Sequence, residues 1–232
     1  MPLYVTVDEV LDYLMIPDDL RSNVNTEWIE KLIQMKMDYV DRLTNTTWNG
    51  RVKQTRERHD LNYYKGSLIL GPGIPVFLGR APVRKIIRIL VFNGRGYDEV
   101  DLTDYGRARG SYWVDRQSGI LYLQRFLIRW GGGEVKVTYT YGRNDLDPRV
   151  RELTLLHVAR EILINEAFWF AIPETSSPIS IKIEDRLRFI NDRIAQLEQQ
   201  LTTARIPVNT EYDVEVETED GDLSLEPTND YD

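Results

Sequence analysis

The chain has 232 residues, 29 Lys and Arg against 37 Asp and Glu, a formal net charge of −8, and no cysteine. That length holds one full core or two small ones, and the missing cysteines exclude disulfides, thiolate metal sites and Cys nucleophiles. His59 and His157 are the only histidines and neither has an i, i+4 partner, so no structural metal and no cofactor is expected.

From Ile206 onward there are ten acids and no base, so residues 1–205 carry all 29 bases and 27 of the acids. The protein therefore reads as a near-neutral body with an acidic tail, and the two are treated separately. Met1-Pro2-Leu3-Tyr4-Val5 has no basic start and meets acids at Asp8 and Glu9, so a signal peptide is not expected there. No stretch approaches the roughly 18 uncharged apolar residues of a membrane span. The Asn45-Thr46-Thr47 triplet has no secretory context and is expected to be chance.

Taken in chain order, Thr6-Val7-Asp8-Glu9 fits a capping box and opens a short helix to about Met15, stopped by Pro17. A longer helix is expected from about Asn25 to Asn45, with Trp28, Ile29, Leu32, Ile33, Tyr39, Val40 and Leu43 on one face. Trp48-Asn49-Gly50 closes it with turn chemistry. From Arg51 to Gly142 the period changes to two, which predicts about six strands. Val52–Arg58 alternates, Ser67–Leu70 leads into the turn-rich Gly71–Pro75, and Ile86–Phe92 ends at the hairpin signal Asn93-Gly94. Tyr112–Val114 and Ile120–Leu123 flank the turn Asp115–Gly119, and Val135, Val137, Tyr139 and Tyr141 share one face of the clearest strand. Helix returns with Asp147 as cap and Pro148 in first position, its apolar face formed by Leu153, Leu156, Ile162, Leu163, Ala167 and Phe170 up to Pro173. Beyond the linker 174–178, Ile183, Leu187, Ile190, Ile194, Leu197 and Leu201 recur at alternating spacings of four and three, an a/d stripe that ends at Pro207.

The fold class is thus α+β: a helical bundle with an inserted antiparallel β domain, then an amphipathic helix and an extended acidic tail. Helices in 1–50 and 143–173 form the bundle, 51–142 the β insert, 179–205 the heptad helix, and 206–232 an extended or disordered arm.

Signatures of catalysis are absent. Gly71-Pro72-Gly73 lacks the third glycine and following helix of a dinucleotide loop, and Gly131-Gly132-Gly133 lacks the Lys-Ser/Thr of a phosphate loop. No serine sits in a Gly-x-Ser-x-Gly elbow. His157 reads as a packing histidine on an amphipathic helix and His59 as a solvated strand end. Asp98, Glu99, Asp101 and Asp104 cluster without EF-hand spacing and read as a solvated turn. No enzymatic activity is expected.

Two groups of bases, Arg51, Lys53, Arg56 and Arg58, then Arg80, Arg84, Lys85 and Arg88, are candidates for interface or channel contacts. The heptad stripe is a candidate helix interface, with docking on its own core the even alternative. The tail is too charged to bury a core. Glu211, Tyr212, Asp213, Val214, Glu215, Val216, Leu223 and Leu225 form a candidate docking arm that adds as a strand to a partner's basic surface.

The run Arg80-Ala81-Pro82-Val83-Arg84-Lys85-Ile86-Ile87-Arg88-Ile89 resembles the R-x-P-V strand start of tailed-phage head–tail connector proteins, the adaptor or head-completion family. Asp104-Tyr105, Gly119–Leu123, Gly133–Gly142, then Pro148 and the helix from Val150 to Leu163 continue the pattern in order, and Val7–Leu14 is similar to the family's N-terminal helix. The resemblance covers residues 3–171. It implies an adaptor forming a ring, typically of twelve copies, beneath the portal, which extends the DNA channel and gives a docking surface to a stopper or tail protein. It implies residence in the virion neck after assembly in the host cytoplasm, DNA passing without specific binding, no membrane, and no catalytic residues. The family's C-terminal segments often grip the portal, which extends to the arm here. The alternative is a nucleic-acid-binding module using the arginines of the β insert; a body so near neutral disfavours it.

Overall fold

The computed structural model describes residues 2–22, 24–61, 73–107, 110–124, 133–165, 183–202 and 210–217. The chain divides into two compact units: Met1–Asn49 with Asp145–Ala204, and Gly50–Asn144 with Arg205–Asp232.

The first unit is helical. α1 (Val7–Tyr13) starts at the expected capping box: the Glu9 amide donates to Thr6 Oγ1 and the Thr6 amide to the Glu9 carboxylate. α2 (Asp18–Arg21) is one turn after Pro17, too short to leave a periodic signal. α3 (Thr26–Thr44) is capped by the Asn25 side chain and closed by Asn45 in the left-handed conformation at φ 53°. α4 (Pro148–Ile164) begins with the Asp147 cap and Pro148 at its first position. α5 (Ile183–Leu201) carries the heptad stripe. Tyr4, Val10, Leu11, Ile29, Ile33, Met37, Val40, Leu153, Val158, Ile162, Ile190 and Leu197 meet in one buried cluster.

Three positions of α3 depart from the expected face. Tyr39 stays 42% exposed, while Met37 and Asp41 are buried. Asp41 is tolerated because Tyr4 Oη donates to its Oδ1 at 2.5 Å and itself accepts from the Trp48 amide at 2.8 Å.

The second unit is built of antiparallel strands: β1 (Lys53–Asp60), β2 (Ile74–Phe77), β3 (Val83–Phe92), β4 (Tyr97–Glu99), β5 (Tyr112–Asp115), β6 (Ile120–Leu123), β7 (Glu134–Tyr141) and β8 (Thr210–Glu217). They form a five-stranded sheet in the order β4-β3-β7-β1-β8 and a three-stranded sheet in the order β2-β6-β5. Both sheets feed one apolar cluster, with Val76, Val114, Leu121 and Leu123 from the small sheet and Ile89, Val91, Val135, Val137 and Tyr139 from the large one. The alternation of β7 is as expected: Val135, Val137, Tyr139 and Tyr141 are all buried.

Two strands were not legible. Ile74-Pro75 reads as turn, yet it begins β2. Proline is accepted there because β2 is an edge strand paired to β6 alone. β4 reads as an acidic loop because all three of its residues are exposed and give no alternation. The hairpin signal before it holds: Asn93 Oδ1 accepts from the Arg95 and Gly96 amides at 2.9 Å each, with Gly94 at φ 93°. Between β5 and β6, Gly119 takes φ 68°, and a Cβ there would lie 3.0 Å from Ala81 Cβ, so the turn requires glycine on both counts. Ser67–Leu70, Gly131-Gly132, Ala167, Phe170, Leu223 and Leu225 lie outside the described residues.

Candidate assembly surface

β1 is the element on which the candidate residues converge. Its sequence, Lys-Gln-Thr-Arg-Glu-Arg-His-Asp, alternates with period two, so Thr55, Glu57 and His59 share one face and Gln54, Arg56, Arg58 and Asp60 the other. The first face is buried: Thr55 and Glu57 are inaccessible and His59 is 1% exposed. His59 is therefore not the solvated strand end that its charged neighbours suggest. The strand continues through it, and the pleat turns it inward.

A buried carboxylate must be fully hydrogen-bonded to be tolerated. Glu57 Oε2 accepts from the Gly79 amide at 2.9 Å and lies 3.1 Å from His59 Nε2, and Oε1 accepts from Tyr139 Oη. Tyr139 Oη also accepts from the Arg80 amide at 2.9 Å. This network ties β1 to β7 and to the turn before β3. His59 Nδ1 is buried with no hydrogen-bond partner among the described residues. Sequence reasoning missed Glu57 and Tyr139. The available signal was the alternation itself, which puts a glutamate and a histidine on the face opposite the arginines.

The outer edge of β1 is covered by β8, the segment expected to be a docking arm. Antiparallel pairing sets Lys53 opposite Glu217, Gln54 opposite Val216, Thr55 opposite Glu215, Arg56 opposite Val214, Glu57 opposite Tyr212, Arg58 opposite Glu211 and His59 opposite Thr210, with a register shift between Arg56 and Glu57. Acids of the arm thus hold register positions opposite bases of β1 at both ends of the pairing.

The remaining bases are less available than the sequence suggests. Arg51 and Arg80 are 6% and 8% exposed, too buried to line a channel; the Arg80 guanidinium lies 5.8 Å from the centroid of the Tyr141 ring. Arg84 donates to the Gly142 carbonyl and Asn144 Oδ1, at 3.0 and 2.5 Å, and burial pushes its pKa down. Arg88 makes a two-pronged pair with Glu99 at 3.1 and 2.9 Å, and Arg58 donates to Glu134 at 2.6 Å. Lys85 is exposed.

The acidic loop is likewise occupied by protein donors. Asp98 accepts from Asn93, Asp101 from Thr103, and Asp104 from the Ser111 amide and hydroxyl. The Thr103 hydroxyl and amide hold the Asp101 carboxyl below its ordinary range. No group of three or more metal-ligating side chains occurs among the described residues.

On the helical unit the heptad stripe is turned inward. Ile190, Ile194, Leu197 and Leu201 are buried in the unit's own core and Leu187 packs against it, so these side chains are not offered to a partner. The physical reason is that α5 lies on α4, fixed at its edges by polar pairs. Arg193 holds Glu152 with two hydrogen bonds of 2.7 and 2.9 Å, and His157 Nε2 lies 3.1 Å from Glu198 Oε1. His157 is a packing histidine, 3% exposed, with the Tyr39 ring edge-on at 5.0 Å. Burial, then the nearby Arg160 charge, lowers its pKa from the ordinary value, against the opposing pull of Glu198. A groove of about 670 Å³ in this unit is lined by Leu3, Val5, Leu146, Pro148 and Leu155, with the Glu9–Arg151 ion pair at its side. Among the described residues, no helix is long and apolar enough to cross a membrane.

No protein-family model matches the chain and no curated protein matches it. Similar chains occur among solved structures, the following two included. One, described as the neck of an empty GTA particle computed with C6 symmetry, is 13% identical with a TM-score of 0.45, over 88% of this chain and 92% of that one. The other, described as the virion of a native gene transfer agent particle, is 12% identical with a TM-score of 0.42, over 79% of this chain and 80% of that one. Identities and scores this low assign neither fold nor activity.

Proposed function

We propose that this chain is a structural adaptor of a tailed-virus particle, forming a ring below the portal, extending the DNA channel and presenting a docking surface to a stopper or tail protein. The observation that carries the reading is the match between the ordered resemblance and the joints of the fold. Arg80 to Ile89 runs through the turn into β3, Gly119–Leu123 is the tight turn and β6, Gly133–Gly142 is β7, and Pro148 opens α4. A series that marks each joint in order is hard to obtain from an unrelated chain. Glu57, the acidic loop and both histidines are held by structural partners, so among the described residues no constellation competes for a catalytic role.

In this reading the self-contacts form a ring, twelve copies being the family's usual number. The portal and the tail-completion protein are the partners, the virion neck is the final location, and the host cytoplasm is the site of assembly. The arm from Glu211 onward is the segment extended to portal docking, engaging the portal while its 210–217 portion stays paired on a β1 edge.

Cryo-electron microscopy of purified particles, with mass spectrometry of isolated necks, tests the adaptor reading: the chain is expected at the neck in ring stoichiometry, and absence from mature particles overturns it. Deleting 206–232 tests the arm. Loss of attachment to portal-bearing capsids is expected, and normal attachment overturns portal docking.

A further inference from the structure

We infer that β8 is an exchangeable strand, and that in the assembled protein each copy lays its 210–217 segment on the β1 edge of a neighbouring copy. Three observations lead there. First, among the described residues β8 is the outermost strand of its sheet and pairs with β1 alone, so it can leave without disturbing the pairing of β1 with β7 or of β7 with β3. Second, no tight turn binds it to its own sheet. It is not joined to β1 by a hairpin: 149 residues of the sequence lie between Asp60 and Thr210. Third, the pairing is between unlike partners. Glu211 and Glu217 stand opposite Arg58 and Lys53, while Asp213 and Glu215 bracket the position opposite Arg56. Opposite charges at facing positions favour the pair, and like charges would oppose two such arms pairing together.

Every copy carries both halves of this contact, an acidic donor strand and a basic acceptor edge. Exchange replaces one set of main-chain hydrogen bonds by an identical set, so it is almost neutral in bonding and decided by local concentration. The contact is head-to-tail, donor of one copy on acceptor of the next, which is the kind that closes into rings. It also keeps the outer edge of β1 covered in the assembly, where an open edge would template aggregation. The inference rests on the adaptor reading only for the ring; exchange between copies stands or falls separately.

The absence of cysteine makes the test direct. Facing Cα atoms in an antiparallel pair lie about 4.5–5.5 Å apart, within the roughly 4.4–6.8 Å range of a disulfide. Two full-length chains with different tags, one bearing Gln54→Cys and the other Val216→Cys, are co-expressed, oxidised and run without reductant. A covalent dimer carrying both tags is expected, several-fold above that formed by Gln54→Cys with Asn191→Cys on the exposed side of α5, and lost on reduction. The double variant Gln54→Cys/Val216→Cys is expected to give a ladder of covalent oligomers. Disulfides confined to monomers in the double variant, with no mixed dimer above the control, overturn exchange. So does a double variant that forms no disulfide at all, which would remove the strand from this edge. Disappearance of the mixed dimer when the portal is bound would transfer the strand to the portal and overturn exchange in the assembled state. In each case the presence of the chain at the neck is measured independently by microscopy.

Discussion

Tyr139 is where burial and hydrogen bonding meet most sharply. Its hydroxyl donates to a fully buried glutamate and accepts from the Arg80 amide, so one oxygen satisfies groups on two segments. Tyr139→Phe removes both bonds with little change of volume, and a loss of about 1–3 kcal/mol is expected in urea unfolding. Glu57→Ala should cost more, about 3 kcal/mol or above, because it strands the Gly79 amide and leaves a cavity beside His59. A smaller loss for Glu57→Ala than for Tyr139→Phe would contradict this account. His157 gives a pH signature of definite sign. Its folded pKa lies below the ordinary value of 6.5, so between the two the unfolded chain binds a proton that the folded chain refuses. Stability is then complete above about pH 7 and falls as pH drops through that window. Glu161, held low chiefly by its hydrogen bond from Lys36, adds a loss of the same sign in the lower carboxylate range. Thermal melts from about pH 7.5 to about pH 5.5 should show a falling midpoint, and His157→Gln should flatten that slope.

At the scale of elements, α5 turns on whether an a/d stripe of six positions zips to a partner or docks at home. Four of its apolar side chains are buried within the helical unit and Arg193 is anchored on Glu152, so the helix is part of the core. Leu197→Ala should therefore destabilise the isolated protein by about 2–5 kcal/mol. Phe189→Ala, at a residue 66% exposed, should change stability by less than about 0.5 kcal/mol. If Leu197→Ala were neutral in the monomer and harmful only to assembly, the stripe would be an interface after all. β1 shows the complementary case. Its sequence is polar throughout, and it persists because its inward Glu57 carboxylate is hydrogen-bonded through both oxygens while its outer edge is paired to β8.

For the whole molecule, the charge distribution bears on DNA. A protein that binds duplex gains affinity by neutralising phosphates with available bases. Here Arg58 and Arg88 are engaged with Glu134 and Glu99, Arg51 and Arg80 are buried, and the sequence after Ile206 is purely acidic. Fluorescence anisotropy with a labelled duplex at about 0.15 M salt should show no binding, as the proposed DNA channel requires. Tight binding that weakens steeply with salt would favour the nucleic-acid module instead.

Much of the local structure was legible because it is written in short-range chemistry. The Thr6–Glu9 box, the Asp147-Pro148 start, the Asn93-Gly94 turn and the period-two run of β7 each depend on neighbours a few residues away. Exposed β4 and edge strand β2 escaped, since neither carries an alternation that burial would impose. Sequence alone also determined that the net charge of −8 belongs to the last 27 residues and not to the body.

Only the tertiary structure decided what each ambiguous segment faces. The heptad stripe turned to its own core, His59 and Glu57 turned inward under Tyr139, Arg51 and Arg80 were buried, and the acidic arm found the basic edge of β1. Periodicity states which residues share a face, but what that face meets is set by contacts between residues far apart in sequence.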